Sequence, residues 1–272
     1  MLQPPPRLMC IEFRKRLTGN SYTRPLYIVA VDEDDNEFEM IMKVRQPDVP
    51  MGRGHYEGTS LACELICAML ARHLGLKVPD YAIIEVRSEM PNSVSNDEVR
   101  QLLRQNVGSN FGTVYIEGSS TWIPKPLDAG SVLSGDLENV LVFDSTVING
   151  DRQRDKSNLL WNGQDLFLID HSVALPVHLW SSEQVSASPL FPEKSVREHC
   201  AYVSINGQGR NFTDLLSEWR SSVTADEIEQ LRSAVPTSWE RRAGDLDKVF
   251  GFLEGRPVRF DETSEHLRSI LQ

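Results

Sequence analysis

Apolar and polar positions alternate over residues 11–17, and short apolar runs recur at 26–31 and 38–44, which predicts three strands near the N-terminus. Between the second and third lies Asp32-Glu33-Asp34-Asp35-Asn36, too polar to pack and suited to a hairpin connection. A loop bearing Gly52, Gly54 and Gly58 follows. The period then lengthens to that of a helix over 60–74, with Gly75 just past its end and Pro79 preventing continuation. Residues 81–86 read as a further strand. From 88 to 130 the pattern is weak: 96–105 predicts a short capped helix, and the Gly- and Ser-bearing stretch 111–121 predicts turns. Beyond it the chain turns helical. Residues 137–148 are periodic, 224–235 opens on the capping-box pair Thr224 and Glu227, and 239–253 predicts another helix. Strands and a helix first, helices afterwards, predict an α+β fold in two unequal parts.

Two charges break this pattern. Lys43 stands in the apolar strand Met40-Ile41-Met42-Lys43-Val44, and Glu64 is the lone acid of a helix that is apolar nearly all round. A buried charge is costly unless it is paired, so the two call for each other. The second irregularity is Leu159-Leu160-Trp161 and Leu166-Phe167-Leu168-Ile169, joined by Asn162-Gly163-Gln164-Asp165, in which Asn-Gly favours a tight hairpin. Pairing the two runs brings Asn158 and Asp170 to the same end, beside the loop that carries Asp151. An acid, an amide and a second acid at one point suit Mg²⁺ with bound phosphate, because Mg²⁺ keeps several waters and takes few protein ligands. Phosphoryl transfer needs that set: one Asp to accept the proton of an attacking hydroxyl, an Asn and another Asp for the metal.

Composition narrows the field. The chain has 272 residues, 40% hydrophobic and 25% charged, as in an ordinary globular protein. A net charge of −11 argues against nucleic acid or an anionic membrane as partner. Arg14-Lys15-Arg16 reads as a solvated strand edge. No apolar run approaches the roughly 20 residues that span a bilayer, and no apolar segment follows the first basic residue as in a signal peptide. Four scattered cysteines fit a reducing compartment, with the cytoplasm expected; Cys63 and Cys67 share a helix face and read as small core residues.

Asn149-Gly150-Asp151-Arg152 after Phe143-Asp144, then Asn158-Leu159-Leu160, then Ile169-Asp170-His171, resembles the HipA-like kinases, above all their short single-domain members. It is also similar to the catalytic loop of phosphoinositide kinases. The resemblance implies a bilobal protein-kinase-like fold: a small antiparallel-sheet N-terminal lobe with one helix and the hinge region over 1–120, and a mostly helical catalytic lobe over 121–272. By position it implies Asp151 as catalytic base, Asn158 and Asp170 as Mg²⁺ ligands, and the Lys43–Glu64 pair on the phosphates of ATP. The turn Thr18-Gly19-Asn20-Ser21 would lie over those phosphates, with Gly19, Asn20 and Ser21 as contacts and Ser21 as a phosphorylation site that shuts the pocket.

One position departs from the pattern. Kinase folds usually place the metal-binding Asn five residues after the catalytic Asp, and Lys156 stands there, so the ligand is Asn158 or Asp155. The expected activity is Mg-ATP-dependent transfer to a protein Ser or Thr. A small-molecule or lipid-headgroup acceptor is the alternative, and so is a nucleotide-binding pseudokinase that acts as a partner protein. HipA-like kinases often stand beside an antitoxin, which makes such a regulatory partner an expectation too. His171 either orients the metal ligand or packs. Residues 181–188, with Pro189 and Pro192, are expected to form a mobile docking segment, and Trp122, Trp219 and Trp239 to pack.

Overall fold

The computed structural model describes residues 2–17, 25–45, 60–177, 180–240 and 243–272. Five strands make the first layer: β1 (Arg7–Arg16), β2 (Leu26–Val31), β3 (Glu37–Lys43), β4 (Tyr81–Val86) and β5 (Gly108–Val114). They close into a barrel in the order β1-β2-β3-β5-β4. Most neighbours are antiparallel, but β1 pairs with β4 in parallel, Leu8 opposite Ile84, and this contact closes the ring. The expected antiparallel sheet is therefore corrected to a barrel with one parallel seam. Closure removes the free edges that an open sheet would expose. Inside lie Leu8, Leu26, Ile28, Met40, Met42 and Ile84, all buried.

Residues 108–114 overturn the turns expected at the start of 111–121. Glycine is weak in a strand, yet Gly112 is required: a Cβ there would lie 2.6 Å from Ile84 Cγ1. Asn110 is buried and donates through Nδ2 to Asn106 O at 2.8 Å and Gly108 O at 2.9 Å, so its amide replaces the missing apolar contact with hydrogen bonds.

Helix α1 (Ser60–His73) crosses behind the barrel and is buried on all faces from Leu61 to Ala71. A helix apolar all round has to be enclosed, and α1 lies between β5 and a helix of the C-terminal half. Its core is continuous with that of the C-terminal half, not with the barrel interior. A second helix, α2 (Asp97–Gln105), capped by the Asn96 side chain on the Val99 N–H, packs on the barrel side, so the one-helix expectation is also corrected.

Next come β6 (Ser120–Thr121), α3 (Val132–Val147), β7 (Leu159–Trp161) and β8 (Leu166–Leu168). The last two form the expected hairpin, Leu159 opposite Leu168, and β6 adds to β7. Helices α4 (Ser182–Ala187), α5 (Glu193–Glu198), α6 (Tyr202–Ile205), α7 (Thr213–Ser222), α8 (Ala225–Ala234), α9 (Asp245–Gly255) and α10 (Phe260–Ile270) complete the chain. Trp122, Trp219 and Trp239 are buried in this larger core, and α8 is the helix that meets α1.

Three local expectations change. The stretch 181–188 carries the short helix α4, with a full capping box between Ser181 and Gln184. Thr224 caps no backbone N–H, because its hydroxyl donates to the Glu227 carboxylate instead. The helix expected from 239 starts at Asp245: Trp239 closes a 3-10 turn, Gly244 sits at φ +88°, and Glu240 Oε1 caps Gly244 N and Leu246 N. No described helix is long and apolar enough to cross a membrane.

Candidate active site

The hairpin delivers two of the expected residues. Ile169 N–H donates to Asn158 O at 3.1 Å, so the strand pairing continues one step past Leu159 and sets Asn158 and Asp170 at the same end. Both leave the hairpin in the left-handed backbone region, Asn158 at φ +48° and Asp170 at φ +61°. Asn and Asp tolerate that region better than most residues, which suits these positions to an amide and a carboxylate.

Lys43, at the end of β3, meets them from the barrel. Its ammonium donates to Glu64 Oε1 on α1 and to Asp170 Oδ1 at 2.7 Å. The charges that interrupted the sequence pattern are thus a bonded pair, and Asp170 is its third member. Ser172 Oγ donates to the same Asp170 oxygen at 3.0 Å. Burial works against charge on all three. For Lys43 it is more than offset by Asp170 and Glu64, which hold the ammonium above its usual range. For Asp170, Lys43 likewise outweighs burial, and the carboxyl falls well below the carboxylate range. Glu64, the deepest, is pushed up by burial despite Lys43.

Asp151 lies on the loop after α3. Its Oδ2 accepts from Asn158 Nδ2 at 3.0 Å and from Lys156 Nζ at 2.5 Å, while Lys156 Nζ stands 3.7 Å from Asp170 Oδ2. Asp155 is exposed farther along this loop, so of the two candidate metal ligands Asn158 is the one in contact with Asp151. Asp170 and Asn158 offer a carboxylate and an amide oxygen, hard donors of the kind Mg²⁺ takes, and the few protein ligands it needs. Gly19, Asn20 and Ser21 lie outside the described residues.

Sequence reasoning missed what holds this loop. Arg152 is fully buried; its Nε donates to Asp144 Oδ2 at 2.6 Å, and its Nη1 reaches Asn158 O and Ile169 O, the latter at 3.2 Å. One guanidinium thereby ties the last turn of α3 to both sides of the hairpin entrance. Asn149 Nδ2 donates to Asp144 Oδ1 at 3.0 Å. His199 Nδ1 accepts from Ala201 N at 3.1 Å, which leaves the proton on Nε2 to donate to Asp144 Oδ2 at 2.8 Å. Burial opposes charge on Asp144, yet Arg152 and His199 hold its carboxyl below the usual range. The Asp-Arg dipeptide was visible in sequence, but nothing near it pointed to His199.

His171 packs. Its ring meets Phe143 edge-on with centroids 6.0 Å apart, and its backbone N–H, not its ring, donates to Glu64 Oε2 at 3.0 Å. Burial and then the Arg152 charge lower its pKa from 6.5 to about 3, so the imidazole is neutral.

A lysine bound at once to a helix glutamate and a post-hairpin aspartate, beside a loop aspartate and an asparagine, is the arrangement of a kinase fold. The crystal structure of the Helicobacter pylori proinflammatory kinase CtkA superposes on the chain with a TM-score of 0.54 at 11% identity, over 97% of this chain and 96% of that one. A Golgi casein kinase structure aligns with a TM-score of 0.47 at 10% identity, covering 98% and 73%. Its form with Mn/ADP bound aligns with 0.45 at 9%, covering 99% and 74%. None of the curated proteins compared matches the sequence. The sequence profile of the HipA-like kinases matches residues 52–249, and the chain belongs to that family.

Proposed function

We propose that this protein is an Mg-ATP-dependent kinase that transfers the γ-phosphoryl group to a protein Ser or Thr hydroxyl. The observation that carries the reading is the Lys43 ammonium, bonded to Glu64 and Asp170 together and facing the loop of Asp151. Lys43 binds the nucleotide phosphates, and Glu64 keeps its ammonium aimed. Asp170 and Asn158 hold Mg²⁺, which when bound neutralises phosphate charge. Asp151 has Oδ2 occupied by Lys156 and Asn158, whereas Oδ1 has no side-chain bond among the described residues. That free oxygen accepts the acceptor's proton as its hydroxyl oxygen bonds to the γ-phosphorus and the bond to the leaving ADP oxygen breaks. Positioning and charge neutralisation supply most of the acceleration in such transfers.

The test is transfer of labelled γ-phosphate from ATP with Mg²⁺ to the protein itself or to a lysate, comparing wild type with Asp151→Asn and Asp170→Asn. Label on a Ser or Thr in the wild type alone is the expected result. Label that appears only on small molecules moves the acceptor to that class. Mg-ATP that raises the Tm without any transfer supports instead a nucleotide-binding partner protein.

A further inference from the structure

Lys156 occupies the place in the catalytic loop where the kinase pattern Asp-x-x-x-x-Asn puts a metal-binding asparagine. Its backbone is fixed: Gln153 N donates to Lys156 O at 2.9 Å and Lys156 N to Gln153 O at 3.2 Å. From that closed turn the side chain reaches back between the two carboxylates, 2.5 Å from Asp151 Oδ2 and 3.7 Å from Asp170 Oδ2, with 43% of its side-chain surface still exposed. The side chain therefore meets both acids while staying in contact with solvent.

We propose that Lys156 stands in for one of the two divalent cations that kinase-type phosphoryl transfer uses, so that this protein binds a single metal ion with its nucleotide. The inference rests on the kinase reading above. The charges support it. The acids Glu64, Asp151 and Asp170 face the cations Lys43 and Lys156, so three formal negative charges are met by two positive ones before any metal arrives. With a neutral asparagine at 156 one positive charge would face the same three. Lys156 also covers Asp151 Oδ2 and the approach to Asp170 Oδ2, where a second cation would be attracted. A fixed ammonium requires no dissociable ion at this position, and a lysine binds phosphate oxygens as a point charge. Asp170 and Asn158 would then hold the one metal.

Counting bound Mn²⁺ by electron paramagnetic resonance, at saturating non-hydrolysable ATP analogue, tests this without turnover. The expected ratio is one Mn²⁺ per bound analogue in the wild type and in Lys156→Arg, and two in Lys156→Asn. Two Mn²⁺ per analogue in the wild type, or one in both wild type and Lys156→Asn, overturns the inference and leaves the kinase reading intact. No binding of analogue by the folded wild type overturns the kinase reading itself. Since two Mn²⁺ in the wild type refutes the inference without any variant, it stays open to refutation even if a variant folds poorly.

Discussion

Two groups of charges meet at the hairpin entrance: Lys43, Glu64, Asp170, Asp151 and Lys156 form one, and Asp144, Arg152 and His199 the other. Both groups pair acids with bases at hydrogen-bond distance, and they differ in enclosure. Asp144 and Arg152 have no exposed side-chain surface, whereas exposure rises through the first group from 2% at Glu64 to 43% at Lys156. The sealed group is held by its own partners and the backbone: Asp144 takes three donors, and Arg152 Nη1 reaches carbonyls, while its Nη2 is buried without a partner. In the open group Asp151 keeps an oxygen free and Lys156 faces water. Similar residue types thus do opposite work, one set fixing a loop and the other left able to meet a ligand.

Removing a member of the sealed set should have the largest effect. Arg152→Ala strands the Asp144 charge in the core, and the free energy of unfolding by urea should fall by about 3–5 kcal/mol. A loss below about 1 kcal/mol would mean that the two groups are not different in kind. Asp151→Asn should do the reverse. If Asp151 is the general base proposed above, transfer slows by about 100-fold or more while the Tm stays near that of the wild type.

His171, buried like the sealed set, sharpens the comparison through pH. Its folded pKa of about 3 lies below the unfolded value near 6.5, so between those limits the unfolded chain binds the extra proton. Stability is therefore full above pH 6.5 and is lost as pH falls toward 3, by up to about 1.4 kcal/mol per pH unit from this group. Denaturation curves at pH 7, 6 and 5 should show that slope in the wild type and a shallower one in His171→Gln. Asp144 and Asp170, both held below their usual range, add acid sensitivity at lower pH in both proteins. The smallest effect belongs to Lys77, whose ion pair with Asp165 sits at the exposed tip of the hairpin. Lys77→Ala should leave both Tm and transfer unchanged, because solvent screens such a pair.

Legibility in the sequence followed the range of the interactions. Lys43 and Glu64 were readable because each is a single charge in an apolar segment, and the hairpin because Asn-Gly marks its turn. Strand β5 was hidden, since its two glycines, Ser109 and Asn110 look like a turn until the barrel wall at Ile84 makes Gly112 necessary. The parallel seam of β1 and β4 joins segments more than seventy residues apart, with no local mark on either. Helices α7 and α10 were passed over for the same reason: their buried faces are narrow, and their partners lie in each other. Arg152 and His199 share that character, because a scaffold contact is written in three dimensions and not in spacing.

The barrel interior and the core of the C-terminal half are separate, and Lys43 reaches from the barrel to Glu64 and Asp170 on the other side. This cation site is consequently a coincidence detector for assembly. A nascent or partly melted chain in which either core has yet to consolidate has the lysine and the acids, but not within reach of one another. On the kinase reading proposed above, competence to hold a nucleotide arrives last, after both cores have packed and docked, and a half-built molecule is silent rather than misdirected.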